Sequence, residues 1–261
     1  MCKAFSCIVT RSGKVYWKAG IDSHDGIAEL FKAQDPELLD NKQPPENTFA
    51  RIEIHPANSN YLNPNRWVFQ LDDQITPAWW NQAIYEPKCQ AAFRRWKKQI
   101  YSRFNLQEAR NPIHPFKIKS PRKITKQHIA LLREWSSVRD SVRASVGASL
   151  RDSVGASLRD SVGYLIGGSV WDSIRASVRY SVEDTVGDSV RTSVRAYYGS
   201  LFIAIKEWNV DKSKPPFNKI HGYPFRSAVK LWKQGLVPSF DGKKWRLHAG
   251  KDAHTVWEGE L

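Results

Sequence analysis

From Val138 to Val194 every fourth residue is Val, Leu or Ile, fifteen positions in a row without a slip of phase. Ser or Thr precedes fourteen of them, Leu165 being the exception. The other two places of the unit are mostly Arg or Gly, then Asp or Ala, and Ala148–Gly155 and Ala156–Gly163 are identical octapeptides. A unit that duplicates intact points to a stacking element, not to a unique site. Its period limits what the backbone can do. An α-helix turns by about 100° per residue, so a four-residue apolar period drifts by roughly 40° per unit and circles the helix after about nine units. Composition also weighs against a helix: Val is β-branched, Ser competes for backbone hydrogen bonds, and Gly147, Gly155, Gly163, Gly167, Gly168 and Gly187 are interior glycines. A plain long strand fails because its period is two.

Two architectures satisfy the repeat. In the favoured one, each tetrapeptide forms one short side of a β-solenoid, with Val inward, Ser leading into it and the Arg/Gly and Asp/Ala corners facing water. The alternative is a set of broken or packed helices, favoured by the helical spacing of the flanks Ile129, Leu132, Trp135 and Val194, Tyr198, Leu201, Ile205. The solenoid pattern resembles the pentapeptide-repeat proteins, whose right-handed β-helix carries one central apolar residue per side, although the unit here is four residues.

Around the repeat the chain reads as a small α+β body. Ala4–Val9 and Val15–Lys18 form a hairpin across Thr10–Lys14, and Gly26–Lys32 is a short helix. Phe49–Ile54 and Trp67–Leu71 are strands. Near the C-terminus, Ser227–Lys233 is a helix ended by Gly235, Phe240–Leu247 a hairpin with an Asp-Gly turn, and His254–Trp257 a last strand. The expected division is 1–90 as an N-terminal α+β domain, 91–136 as a basic aromatic helical segment, 137–199 as the repeat, and 200–261 as a C-terminal α+β segment packing on the N-terminal body.

The formal charge of +14 is unevenly distributed. Residues 1–93 carry net −2, residues 94–126 net +10, residues 127–136 none, the repeat net +1 and residues 200–261 net +5. No apolar run reaches the length of a membrane span, and the polar start is no signal peptide, so a soluble cytoplasmic protein is expected. Three cysteines, Cys2, Cys7 and Cys89, make neither a disulfide framework nor a four-ligand zinc site, and no metal or cofactor is expected.

The basic block carries the main functional expectation. Phe93, Trp96, Ile100 and Phe104 keep helical spacing, which turns Arg94, Arg95, Lys97 and Lys98 toward solvent, with Arg103 following. Lys117, Lys119, Arg122 and Lys123 come next in a stretch punctuated by proline. Such a surface binds phosphate by releasing counterions, and Trp96 or Tyr101, if exposed, stacks on bases. The expectation is a non-enzymatic nucleic-acid-associated binding protein with Arg94, Arg95, Trp96, Lys97, Lys98, Arg103, Lys117, Lys119, Arg122 and Lys123 at the contact. The near-neutral repeat is then a spacer or protein-interaction surface, open to self-stacking through its ends.

Two enzymatic alternatives stand beside it. With Met1 removed, Cys2 becomes an N-terminal nucleophile whose own α-amino group acts as base, the logic of an amidohydrolase. The Met1-Cys2 start resembles class II glutamine amidotransferases, whose next residue is Gly where Lys3 stands here. His248 and His254, with Lys251 between them, have the groups for metal-free phosphodiester cleavage. A third alternative is an interaction scaffold built on the repeat. Taken whole, Met1–Phe5, the Ser-Val-x-x run and Pro238–His248 resemble phage and bacterial proteins that carry such tetrapeptides between Met-Cys-x-Ala-Phe and Pro-Ser-Phe-Asp-Gly-x-x-Trp-Arg-Leu-His segments, a resemblance that implies no activity.

Overall fold

A computed structural model describes residues 5–39, 48–57, 62–72, 75–154 and 184–261. The described residues mix helix and sheet, as expected for an α+β chain. They fall into two compact units, one made of the described residues through Arg103 with Ser153 and Val154, the other built from Phe104–Asp152 and the described residues from Asp184 onward. The sequence reading had put its boundaries at 90, 136 and 199.

The first unit is a four-stranded antiparallel sheet in the order β2-β1-β3-β4, with β1 Phe5–Thr10, β2 Val15–Tyr16, β3 Phe49–Pro56 and β4 Trp67–Leu71. The hairpin expected at the N-terminus is present, Ile8 pairing with Tyr16 and Val9 with Val15. Ser23 begins helix α1 (His24–Phe31) by accepting the Gly26 N–H on its hydroxyl at 3.2 Å, and α1 lays Ile27 on Ile8 and Phe49. On β1 the side chains alternate faces, so Phe5 and Cys7 point opposite to Ile8. That second face takes helix α2 (Gln82–Tyr101), capped by Asn81, whose side chain accepts the Ala83 N–H at 3.1 Å. Phe5 sits 5.5 Å from both Phe93 and Trp96, and Trp67 stacks on Phe93 at 5.5 Å. Cys7 of β1 and Cys89 of α2 are free thiols, both fully buried, and burial pushes the Cys7 thiol up, away from a reactive thiolate.

The second unit begins with the short helix α3 (Leu106–Arg110) and continues with α4 (Lys126–Val138), α5 (Val142–Val154), α6 (Asp184–Ser200) and α7 (Arg226–Lys233). A capping box starts α4: the Thr125 backbone N–H donates to His128 Nδ1 at 3.0 Å. The unit closes with an antiparallel sheet β5-β6-β7, formed by Val237–Phe240, Trp245–Ala249 and His254–Gly259. The expected Asp-Gly turn joins β5 to β6. Asp241 Oδ1 accepts the N–H groups of Lys243 and Lys244 at 2.9 and 2.8 Å, holding its carboxyl down to about 2. Helices α4 and α6 both pack on α7, and α6 also packs on β5.

Both ends of the tetrapeptide repeat are helical where the favoured reading placed solenoid coils; residues 155–183 lie outside the described residues. The physical reason lies in the serines. Val142, Val146 and Leu150 are buried, and so are Ser145 and Ser149, which stand three residues after a valine. Placed at 100° per residue, the five positions fall within an arc of about 140°. Each later serine lands where the drifting valine stripe has just left. Serine therefore serves as a small packing residue, and Ser149 also accepts the Asn209 N–H at 2.8 Å. In α6 the same pattern buries Val190, Ser193, Val194, Tyr197 and Tyr198. Over three or four units the drift stays inside the width of one covered face.

Candidate nucleic-acid interface

Helix α2 is amphipathic in the way its spacing predicts. Tyr85, Cys89, Ala92, Phe93, Trp96 and Ile100 are buried, whereas Arg94, Arg95 and Lys98 are exposed. Lys97 lies at the margin of the core, its ammonium donating to Asn65 Oδ1 at 2.9 Å and standing 5.9 Å from the centre of the Phe93 ring. Among the described residues no carboxylate pairs with Arg94, Arg95 or Lys98. From Pro87 to Gln107 the sequence holds no acidic residue at all. These cations therefore face solvent on a helix fixed by an aromatic core.

Trp96 corrects the expectation that it meets bases. It is 5% exposed and packs within 5.7 Å of Phe93 and Trp67, so it belongs to the core that anchors the cations. The helix also ends sooner than its spacing implied: Ser102 caps it, and Phe104 is buried against Phe202 in the second unit. Arg103 is half-buried at the end of the first unit. Lys117, Lys119, Arg122 and Lys123 are all exposed on the loops between α3 and α4. Their loop is anchored where Gly235 (φ +75°) ends α7, because a β carbon there would lie 3.1 Å from the Pro115 carbonyl and 3.3 Å from Ile118. The basic residues thus form two sets, one on each unit.

One group near α2 escaped the sequence reading. Trp79 and Trp80 precede the Asn81 cap and meet Tyr85 one turn into the helix, Trp80 stacked at 5.2 Å and Trp79 edge-on at 5.3 Å. The Tyr85 hydroxyl donates to the Arg11 carbonyl at 2.9 Å, and the Lys88 ammonium stands 5.6 Å from the Tyr85 ring centre. Gly13 gives Lys88 its place, since a β carbon there would collide with the ammonium. Both tryptophans are half-buried. The adjacent Trp-Trp pair before a capping residue was the signal available in the sequence.

The enzymatic alternatives fare differently. Cys2 lies outside the described residues. His248 is 2% exposed inside the C-terminal sheet, its Nε2 2.7 Å from Ser239 Oγ and its Nδ1 3.1 Å from the Ala253 carbonyl. With Nδ1–H donating to that carbonyl, Nε2 accepts from the serine. Both ring nitrogens are then engaged and closed to water, which removes His248 from the expected pair with the exposed His254. Burial lowers the His248 pKa from its usual 6.5, and the charges of Arg246 and His254 lower it further. A base whose folded pKa is depressed leaves the unfolded chain to bind the extra proton, so its stabilising contribution fades as pH falls below about 6.5. The second unit is expected to melt at lower temperature at pH 5 than at pH 7.5, and His248→Gln to flatten that dependence; an unchanged pH profile in the variant would contradict the assignment.

Among the described residues no helix is long and apolar enough to cross a membrane, and no three potential metal ligands cluster. Compared with protein-family models, curated proteins and solved structures, the chain matches none.

Proposed function

We propose that the chain is a nucleic-acid-associated binding protein that holds phosphate on the exposed side of α2. The observation that carries this reading is the set Arg94, Arg95 and Lys98, exposed together and unpaired by any described carboxylate on a helix whose other side is core. Cations so placed have little to lose on meeting phosphate: no salt bridge to a described carboxylate breaks, and the backbone beneath them is already helical. Lys97, held by Asn65, sets the edge of this surface. Lys117, Lys119, Arg122 and Lys123 supply a second contact of the same kind on the other unit. In this reading the near-neutral repeat contributes length or a protein-contact surface, not phosphate affinity.

The test is salt. Affinity for a labelled oligonucleotide should fall steeply between about 50 and 200 mM salt. Changing Arg94, Arg95 and Lys98 together to Gln should reduce the slope of log affinity against log salt by about 2 to 3, one phosphate per cation lost. Binding absent at about 50 mM, or insensitive to salt, would sink the proposal.

A further inference from the structure

The phosphate-binding side of α2 runs into the aromatic ledge at its N-terminal end, and this juxtaposition bears on which form of nucleic acid fits. Seen down the helix at 100° per residue, Ile84, Lys88 and Arg95 fall on one line within about 40°, with Lys98 and Arg94 beside it on the solvent side. Lys88 to Lys98 spans about 15 Å at 1.5 Å per residue, the reach of a few nucleotides. Just before the N-cap of the same helix stands Trp80, stacked on Tyr85 and half-buried, with Ile84 54% exposed one turn before Lys88. A half-buried indole and an exposed isoleucine beside a cationic track offer an amphipathic ligand both apolar and charged contact.

Resting on the nucleic-acid reading of α2, we propose that the ligand is single-stranded, a base stacking on the Trp80 ledge while the phosphates follow Lys88, Arg95 and Lys98. The chemistry separates the two forms. In a duplex the base faces are already stacked on one another and only phosphates and groove edges are offered, so the ledge would stay uncovered. In a single strand each base has a free face, and stacking on an aromatic side chain adds to the charge attraction without depending on sequence. Tyr85 fixes the ledge from below through its hydrogen bond to Arg11, and Lys88 is held between the Tyr85 ring and Gly13, so base and phosphate contacts are both positioned before the ligand arrives.

The experiment measures, on the full chain, the ratio of affinities for labelled oligothymidylate and for a mixed-sequence duplex of equal length, at matched salt. The wild-type ratio should favour the single strand. Trp80→Ala should lower it about tenfold, and Trp80→Leu, which keeps apolar bulk but no π face, should do the same, whereas Trp80→Phe should retain it. Circular dichroism identifies folded variants, and the Leu and Phe pair stands in should the Ala variant not fold. A duplex bound as tightly as the single strand, or a ratio unmoved by Trp80→Leu, would overturn the single-strand proposal while leaving phosphate binding by α2 intact. Absence of salt-dependent binding to either ligand would overturn both.

Discussion

Replacing Trp232 by alanine should destabilise the second unit by about 3–5 kcal/mol, a loss that takes much of an ordinary domain's stability. Trp232 is fully buried on α7, and its ring stacks on Tyr197 of α6 at 5.3 Å with planes 15° apart. Its indole N–H donates to the Ile113 carbonyl at 2.8 Å. The Ile113 N–H in turn donates to the Tyr197 hydroxyl at 2.9 Å, and that hydroxyl donates to Glu108 Oε1 at 3.1 Å, where Lys233 also binds at 2.8 Å. One residue thus ties α7, α6 and the segment after α3 together. Alanine leaves a cavity of ring size and an unpaired carbonyl, two penalties that add because neither can relax without moving a helix. Trp232→Phe keeps the stack and loses only the hydrogen bond, so its cost should be about 1–2 kcal/mol. Chemical denaturation followed by near-ultraviolet circular dichroism separates the two variants; equal, small shifts would show that the ring is not the keystone of this core.

The elements flanking the repeat were legible because each has local chemistry that fixes it. Ser23 caps α1, the Asp-Gly turn joins β5 to β6, and alternation marks β3. The end of α2 was not legible for an equally local reason. Phe93, Trp96, Ile100 and Phe104 continue one helical spacing across the boundary, and Ser102-Arg103 carries no proline or glycine to interrupt it. Periodicity records that a residue is buried, not which core buries it, and Phe104 is buried in the second unit. The exposed cations of α2 follow from that same periodicity, which also puts Trp96 on the inner face with Phe93 and Ile100.

The burial of His248 is hidden from the sequence by a different physical circumstance. In a strand with one wet face, the residue after Leu247 points to water. Trp245 and Leu247 are buried on one face of β6, while the other face is wet at Arg246, which pairs with Asp241 and Glu258, and dry at His248, buried beside Ser239. Alternation does not record where along a face water stops, and a histidine past that point is held by its hydrogen bonds, not by solvent. The aromatic ledge was hidden for the converse reason. Trp79 and Trp80 look like core residues in any composition argument, and only the fold leaves them half-buried.

Helix α5 crosses α6 where Gly199 faces Val146, and this contact decides between helices and coils for the ends of the repeat. A β carbon at Gly199 would fall 3.1 and 3.2 Å from the two Val146 methyl groups and 2.5 Å from the Tyr223 hydroxyl, which donates to the Ala196 carbonyl. Helix propensity alone would make Gly199→Ala stabilising by about 1 kcal/mol. The close approach reverses the sign: overpacking should cost about 1–3 kcal/mol, because a backbone or a buried hydrogen bond has to move. Val146→Ala alone opens a cavity and also destabilises. Combined, the two changes should cost less than their sum, by about 0.5–3 kcal/mol, since the alanine at 199 fills part of the space vacated at 146. A solenoid side predicts no such coupling, because consecutive coils would put each valine against the repeat's own neighbours and leave Gly199, five residues past the last valine of the run at Val194, outside the stack. Additivity within about 0.3–0.5 kcal/mol in the denaturation cycle would therefore reject the helical crossing, and compensation would fix α5 and α6 as the packed helices that bring both ends of the repeat into the second unit's core.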